Sequence, residues 1–484
     1  MERMLEDKLL QSDERQDLKG RIWIESKKLW TVAGPSILTR ISSFGILVVT
    51  QAFMGHIGET ELSSYALVLT LITRFANGIM LGMACALETL CGQAFGAKQY
   101  HMMGIYLQRS WIILTIAAII ILPLYIWAAP ILRLVGESDE LSEMAGQIAL
   151  WFIPIVFYFM FSATLQFYLQ AQLKNSIIAW LSSASFMIHV ALSWIFVIKL
   201  GWGIPGAMGS MIVACWVSII GEFIYVFGGW CPLTWRGFSK SAFSELWSMA
   251  WLSVSSGVMM CLELWYNAVL ILLAGYMKNA TVAIAAFSIC LNITVWILMI
   301  GIGFLSATCV RVGNELGRRD AKAAKFAIKV ALSTSSAIGL AFFILILGLR
   351  NVLSYAFTSS IQVAKMVSEL SVLLAFSVLL NSIQPIFTGV AIGAGWQSVV
   401  AYVNIGCYYV IGVPLGILLG CVAHLQIQGI WIGMICGIAA QTLVLVFMTG
   451  KTDWDLQVEK ATARLEGWFV PDESKDVDDV TSIA

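Results

Sequence analysis

Two segments of the chain that lie 221 positions apart resemble each other, and this internal repeat limits the folds that the chain can adopt. CGQAFGAK contains Gly92 and Gly96, and RVGNELGR carries Gly313 and Gly317 at the corresponding positions. The match extends upstream with nearly the same offset. The chain therefore contains two copies of one unit.

The composition shows that this repeated unit resides in a membrane. Apolar residues make up 59% of the chain and charged residues 12%, with a mean hydropathy of +0.84, whereas an average globular protein is about 25% charged. About twelve apolar runs are long enough to cross roughly 30 Å of hydrocarbon, six in each copy. We predict an all-α integral membrane protein with twelve transmembrane helices in two six-helix lobes. An even number of spans per copy relates the lobes by a pseudo-twofold axis along the membrane normal.

The positions of the spans and of the basic residues predict the domain organisation and the orientation. We divide the chain into an N-terminal tail (1–29), a first lobe (30–230), a linker (231–245), a second lobe (246–450) and a C-terminal tail (451–484). Lys and Arg are concentrated in the tails, the linker and the loops after even-numbered spans, and such segments stay in the cytoplasm. Both termini are predicted to be cytoplasmic, and the segments up to Lys28 and beyond Gly467 are predicted to be polar and mobile.

Several function classes are excluded or disfavoured by what the sequence lacks. It has no phosphate-binding loop, so nothing in it indicates ATP hydrolysis. The ten cysteines are scattered without metal-ligand spacing, which indicates neither a metal site nor a disulfide framework. We expect a monomeric transporter and not an enzyme, with no cofactor and no nucleic-acid partner. Its energy would come from an ion gradient or from the gradient of the substrate.

Glu263 is the best candidate for coupling an ion gradient to transport. It is the only acid in the seventh span and lies near the middle of that span. Burial at that depth favours the neutral carboxylic acid, so uptake and release of a proton near neutral pH become feasible. Met260, Glu263 and Asn267 follow each other at helical spacing and form a polar stripe. The alternative is a carboxylate held by structural hydrogen bonds.

The tenth span contains a second polar cluster. Asn381, Gln384 and Thr388 fall on one helical face, and Pro385 frees a backbone carbonyl and can bend the helix toward a cavity. A ligand-facing site is one interpretation. Interhelical hydrogen bonding is the other, because Asn and Gln also pair helices in bilayers.

Two arginines in the first lobe suggest different roles. Arg40 in span one and Glu222 in span six lie at matching depths, about two turns from the cytoplasmic ends of their spans, which predicts a structural ion pair. Arg74 lies near the middle of span two with no acid at its depth in the same lobe. Arg74 is therefore a candidate contact for an anionic ligand or for a cage of backbone carbonyls.

Several long motifs occur in the order typical of one family. They include TQAFMGHIGETELSSYAL, ALETLCGQAFGAKQYHMMGIYLQRSW, GVAIGAGWQ and YYVIGVPLG. With these motifs the chain resembles the plant-type branch of the multidrug and toxic compound extrusion (MATE) family over nearly its whole length between the tails. The resemblance implies a twelve-helix exporter of organic molecules that takes up protons or, less favoured here, sodium in exchange.

The resemblance also assigns roles to residues. In this family an acid in span seven carries the proton, and Glu263 stands at that position. Many plant members have an aspartate where this chain has Asn381, so the proton-coupling site of Glu263 and Asn381 has one titratable group fewer. Bacterial members carry an aspartate in span one that is absent here. The segment NSIQPIFTGVAIGAGWQ is similar to that of the subgroup linked to vacuolar uptake of flavonoid glycosides. The loop after Gly92 is short, whereas the corresponding loop of the citrate exporters is long.

We therefore interpret the chain as a proton-coupled antiporter that removes amphipathic aromatic metabolites, such as flavonoid glycosides, alkaloids or xenobiotics, from the cytosol. Met260 and Trp296 would line the cavity with Gln384, Thr388 and Asn267, because Met and aromatic walls suit varied ligands. The vacuolar membrane is favoured, with the plasma membrane as the alternative. An anion channel or uniporter of the same fold remains a second interpretation, suggested by Arg74 and by the missing span-ten acid.

Overall fold

A computed structural model describes residues 18–275, 281–358 and 360–470. All regular elements in these residues are helical. The helices are α1 (Leu18–Ile57), α2 (Glu59–Gly96), α3 (Tyr100–Ile126), α4 (Ala128–Val135), α5 (Asp139–Trp151), α6 (Ile153–Ala171), α7 (Asn175–Lys199), α8 (Gly203–Trp230), α9 (Leu246–Gly275), α10 (Thr281–Gly317), α11 (Ala321–Leu349), α12 (Ile361–Ala394), α13 (Gln397–Val422), α14 (Gln426–Lys451) and α15 (Trp454–Gly467). Short 3₁₀ turns are formed by Lys240–Phe243 and Leu353–Ala356.

The number of membrane-spanning helices agrees with the sequence prediction. Eleven helices in the described residues are long and apolar enough to cross a membrane, and α9, with 30 apolar-rich residues, is the twelfth long helix. The prediction of an all-α protein with twelve transmembrane helices is confirmed. We call the membrane side on which α1 begins and α15 lies the tail face, and the opposite side the far face.

Corresponding residues of the two repeats touch each other at the centre of the molecule. A Cβ atom added to Gly92 would lie 3.5 Å from the Cα of Gly313, and one added to Gly313 would lie 3.3 Å from the Cα of Gly92. Equivalent residues meet only near the axis that relates them. This contact between α2 and α10 therefore lies beside the pseudo-twofold axis.

The neighbouring contacts of α2 and α10 are reciprocal. A Cβ on Gly96 would collide with the backbone of Asn314, and a Cβ on Gly317 would collide with the backbone of Gln93. Gly96 corresponds to Gly317 in the repeat, and Gln93 corresponds to Asn314. The two collisions are the same contact made by each repeat, so glycine is required at both Gly96 and Gly317 to bring these backbones together.

The turns after α2 and α10 also repeat. Lys98 and Arg319 both adopt left-handed backbone conformations, with φ of 60° and 63°. The next backbone N–H, that of Gln99 or of Asp320, donates a 2.9 Å hydrogen bond to the carbonyl five residues earlier. Each turn satisfies carbonyls that the helix end leaves without partners. The two repeats thus share backbone geometry as well as sequence.

Four helices form most of the interface between the two halves. Helices α1 and α2 come from the first repeat, and α9 and α10 come from the second. α2 packs against both α9 and α10, while α1 packs against α10. Within the second half, α12 packs closely on α10. Residues on these five helices therefore surround the centre of the protein.

A buried ion network holds the tail face of this interface. Arg311 of α10 donates from Nε and Nη2 to the carboxylate of Glu25 on α1, at 2.7 and 3.1 Å, and Nη2 also donates to Glu315 at 2.5 Å. All three side chains are less than 10% exposed. The prediction of a mobile N-terminal segment up to Lys28 is therefore wrong for residues 18–28, which are helical. Residues 1–17 lie outside the described part.

The C-terminal segment after residue 451 contains a helix that ends where the predicted mobile tail begins. α15 lies across the tail face with Trp454, Ala461 and Leu465 buried. Its Arg464 donates to the side chain of Gln93 at 2.9 Å, and Trp396 beyond α12 donates to Gln457. α15 is amphipathic and buries its apolar side against both halves. Residues 471–484 lie outside the described part.

The glycine contacts generate a stability prediction. Gly317→Ala should lower the apparent melting temperature of the purified protein, because the added methyl group meets backbone atoms of α2 that cannot rotate away. Overpacking of this kind costs about 1–3 kcal/mol. Gly209→Ala is the matched control, since a Cβ there has no neighbour within 4 Å. Equal melting temperatures for the two variants would contradict the close contact.

Candidate functional site

Three of the predicted site residues lie together between α9 and α12. Gln384 Nε2 donates to Glu263 Oε1 at 2.9 Å and to Thr388 Oγ1 at 3.0 Å. Gln384 and Thr388 are 4% and 1% exposed, and Glu263 is partly buried. The Gln384 amide thus connects the acid of span seven to the polar face of span ten. Both helices belong to the second half of the chain.

Pro385 and Asn381 shape the same part of α12. Because proline has no N–H, the carbonyl of Asn381 has no helical partner four residues ahead. This carbonyl faces Gly301 of α10, where an added Cβ would lie 2.8 Å from the oxygen and 3.3 Å from the ring of Pro385. The freed carbonyl therefore packs against a neighbouring helix, and Asn381 itself is partly exposed.

The other predicted ligand contacts lie on the helices of the interface. Met260 of α9 packs on Gly82 of α2. Trp296 of α10 meets Phe44 of α1 edge to face, with ring centroids 5.2 Å apart. Arg74 of α2 is exposed and forms no ion pair with the residues that the structure describes. The side chain of Asn267 lies outside the described part.

The predicted ion pair between Arg40 and Glu222 is wrong. Glu222 is fully buried, and neither of its carboxylate oxygens has a hydrogen-bond partner in the described residues. The acid that attracts Arg40 is Glu88 of α2. Two residues at the same depth can leave their helices in different directions. Arg40 is directed toward α2, whereas Glu222 of α8 lies beside Tyr158.

Glu88 is a buried acid that the sequence analysis overlooked. It is 1% exposed, and it lies near the guanidinium of Arg40 and beside the thiol of Cys309 on α10. The sequence contains a feature that identifies Glu88 as a candidate site residue, because it is an acid within the apolar run GMACALETLCG of span two. An acid inside an apolar span is a functional candidate, and this holds for Glu88 as it does for Glu263.

The geometry indicates what this site can do. A carboxylate buried between two helices and held by an amide donor can exchange a proton only if the surrounding contacts change when it does so. The nearest counterpart of Glu263 in the first repeat is Ser42, at the offset of 221, and the adjacent segment from Ser43 to Ile46 also contains no acid. The site is therefore asymmetric within a nearly symmetric framework.

The two copies of the internal repeat are each matched by the same family model. The family model MatE matches the sequence twice, at residues 35–195 and 256–418, and the two matches begin 221 positions apart. The chain belongs to the MATE family. Members of this family are membrane transporters, and the chain is a transporter rather than an enzyme.

Plant relatives and solved MATE structures agree with this assignment. The chain is 53% identical to Protein DETOXIFICATION 20 of Arabidopsis thaliana, with 98% of this chain and 96% of that protein aligned. It is 54% identical to Protein DETOXIFICATION 21 of the same plant, over 96% and 94% of the two chains. The crystal structure of the eukaryotic MATE transporter AtDTX14 matches with a TM-score of 0.86 at 31% identity, covering 92% of this chain and 99% of that chain.

A bacterial structure extends the similarity to the fold alone. The Vibrio cholerae MATE transporter VcmN in its bent form matches with a TM-score of 0.74 at 19% identity, over 93% of this chain and 99% of that chain. The twelve-helix fold of this MATE protein is therefore shared across distant members. The site residues of this chain are defined by its own contacts.

The contact between Glu263 and Gln384 generates a second prediction. Gln384→Leu should lower the apparent melting temperature of the transporter, because it removes a donor to a buried acid, a contact worth about 1.5–3 kcal/mol when the acid is charged. The same substitution in a Glu263→Leu background should cost much less. A double-mutant cycle measured by thermal unfolding checks this, and additive effects would show that the two residues are not coupled.

Proposed function

We propose that this MATE protein is a proton-coupled antiporter that moves amphipathic aromatic organic molecules out of the cytosol, with Glu263 as the proton-carrying residue. The observation that carries this proposal is the cluster of Glu263, Gln384 and Thr388. It is a polar site inside an apolar membrane domain, and ionisable residues in such positions are functional by default.

The proposed mechanism rests on the two protonation states of Glu263. The ionised carboxylate accepts a hydrogen bond from Gln384, whereas the neutral acid also presents an O–H donor. The two states therefore favour different contacts between α9 and α12. Only such differential stabilisation can shift the populations of two conformations. Asn381, on the same helix as Gln384, does not titrate, so one proton-carrying acid serves this site.

The substrate class is supported by the chemistry of the interface. Met260 provides polarisable surface on the helix of the acid, and Trp296 provides aromatic surface between the halves. Gln384 and Thr388, with the predicted contact Asn267, would provide hydrogen-bonding groups. Arg74, which is exposed, can contact an anionic group such as a glycoside acid or phenolate. The names of the DETOXIFICATION relatives are consistent with transport of foreign or toxic organic molecules.

We propose a monomer in the vacuolar membrane, or alternatively the plasma membrane, that uses the proton gradient in preference to sodium and needs no cofactor. In either membrane the acidic compartment supplies the proton that enters as the organic molecule leaves. The family assignment lends no support to the alternative of an anion channel.

Substitution of Glu263 tests the proposed coupling. Glu263→Gln should abolish substrate accumulation driven by a pH difference in proteoliposomes while leaving substrate binding, because glutamine resembles the protonated acid. Glu263→Asp should retain part of the activity. Glu369→Gln is the matched control, an exposed glutamate on α12. If Glu263→Gln still concentrates substrate against its gradient when a pH difference is imposed, Glu263 is structural and coupling resides elsewhere.

The proposed orientation has its own test. Lys98 and Lys240 are exposed and, with the tail face in the cytosol, cysteines introduced at both positions should react with an impermeant thiol reagent only from the cytoplasmic side. Cys421 near the far-face end of α13 is exposed and should react from the other side. Labelling of Lys98→Cys and Lys240→Cys from opposite sides would overturn the predicted topology.

A further inference from the structure

Two aromatic contacts join the halves of the protein, and one of them includes Trp265, two residues after Glu263. Phe75 of α2 stacks on Trp265 of α9, with ring centroids 4.9 Å apart and planes 4° from parallel. Phe44 of α1 meets Trp296 of α10 with centroids 5.2 Å apart and planes at 85°. Stacked and edge-to-face arrangements are the two that aromatic rings prefer. Each contact pairs a phenylalanine of the first half with a tryptophan of the second.

The internal repeat relates these two contacts to each other. Adding the offset of 221 to Phe44 gives Trp265, and adding it to Phe75 gives Trp296. Exchanging the halves therefore converts one pair into the other. The pairs lie at equivalent places on the two sides of the pseudo-twofold axis, so they form one symmetric layer across the interface.

This aromatic layer lies on the far-face side of Glu263. α9 runs from the tail face toward the far face, and Trp265 follows Glu263 by two residues. Phe75 and Trp296 each precede the tail-face end of their helices, Gly96 and Gly317, by 21 positions, which is about 32 Å of helix. The rings are therefore level with each other.

The opposite side of Glu263 is closed by backbone packing. An added Cβ on Gly82 of α2 would lie 2.7 Å from the Cα of Gly257 on α9. Gly303 of α10, the repeat equivalent of Gly82, packs on the side chain of Ile37 and the backbone carbonyl of Ala33 on α1. The level of Glu263 thus lies between a glycine layer toward the tail face and an aromatic layer toward the far face.

We propose that Phe44, Phe75, Trp265 and Trp296 form a two-point gate that closes the route between the Glu263 site and the far face. An alternating-access transporter must open each side of its site in turn. Ring contacts suit this role because they bury apolar surface without a covalent or charged link, so they can separate and re-form. The inference rests on the proposed function of the Glu263 site.

The gate also has a consequence for substrate choice. When the pairs separate, four aromatic faces become available at the exit. A planar aromatic molecule that leaves the site can stack on a ring and replace the contacts that the pair has lost. A non-aromatic molecule of equal size provides no such replacement. The gate therefore favours the release of aromatic substrates.

A native cysteine reports directly on the gate. Cys261 of α9 is 5% exposed and packs on Gly78 of α2, one helical turn before Trp265. Opening the aromatic layer should expose it to reagents from the far face. Cys421 is the exposed cysteine among the described residues, so the measurement uses a Cys421→Ser background.

The test compares the rate at which an impermeant, cationic methanethiosulfonate modifies Cys261 in oriented proteoliposomes, read by mass spectrometry. The double variant Phe44→Ala with Phe75→Ala should react at least tenfold faster from the far face and at the original rate from the tail face. Each single variant should show less than half of this increase on a logarithmic scale, because the other pair remains. Labelling needs neither substrate nor a pH gradient, so the result is independent of proton coupling.

The control is another aromatic pair with the same ring spacing. Phe196 stacks on Trp202 with centroids 4.9 Å apart, between α7 and α8 and away from the interface. Phe196→Ala should leave the labelling of Cys261 unchanged. An unchanged rate in the double gate variant would overturn the proposal, and so would an equal increase from both faces, which would indicate general loosening of the fold.

A cross-linking measurement covers the case in which the double alanine variant does not fold. Phe75→Cys with Trp265→Cys, joined by a short bifunctional thiol reagent, should lose substrate transport and regain it when a cleavable linker is reduced. The same reagent on either single cysteine variant should have no effect. Full transport by the cross-linked protein would show that the two helices need not separate at this level, and the gate would be refuted.

Discussion

The direct contact of two helix backbones at the pseudo-twofold axis is the constraint on which the rest of this structure depends. Gly92 meets Gly313, and Gly96 and Gly317 admit the backbones of Asn314 and Gln93. Without a hydrophobic driving force in lipid, helices associate through close packing of small residues. Because α2 and α10 approach so closely, α1 and α9 are brought against them. The aromatic layer then forms between these four helices.

The tail face is held by charge as well as by packing. Arg311 forms a bidentate contact with Glu25 and a further bond with Glu315, which joins α1 to α10. Removing one partner of such a buried network costs about 3–5 kcal/mol, because the remaining charge is left uncompensated. α15 adds Arg464 and a buried tryptophan on the same side. These contacts must loosen if this face opens during transport.

The sequence predicted the features that depend on one-dimensional spacing. The offset of 221 identified Gly92 and Gly313 as equivalent positions, and the helical spacing in span ten anticipated that Gln384 and Thr388 share a face. The failures arose where three dimensions were needed. Arg40 and Glu222 share a depth but leave their helices in different directions, and the charged segment around Arg464 did not reveal its docked side. Glu88 was missed although its sequence signal was as clear as that of Glu263.

The asymmetry of the polar site has an evolutionary consequence. A protein assembled from two identical copies of one unit would carry an acid at the level of Glu263 in both copies or in neither. Joining the copies in one polypeptide removed that restriction, so that Ser42 could stand in the first copy and Glu263 in the second. Gly96 and Gly317 could not diverge in the same way, since a Cβ atom on either would collide with the backbone of the other copy. Duplication followed by fusion thus allowed chemical specialisation of one half while the shared framework stayed unchanged.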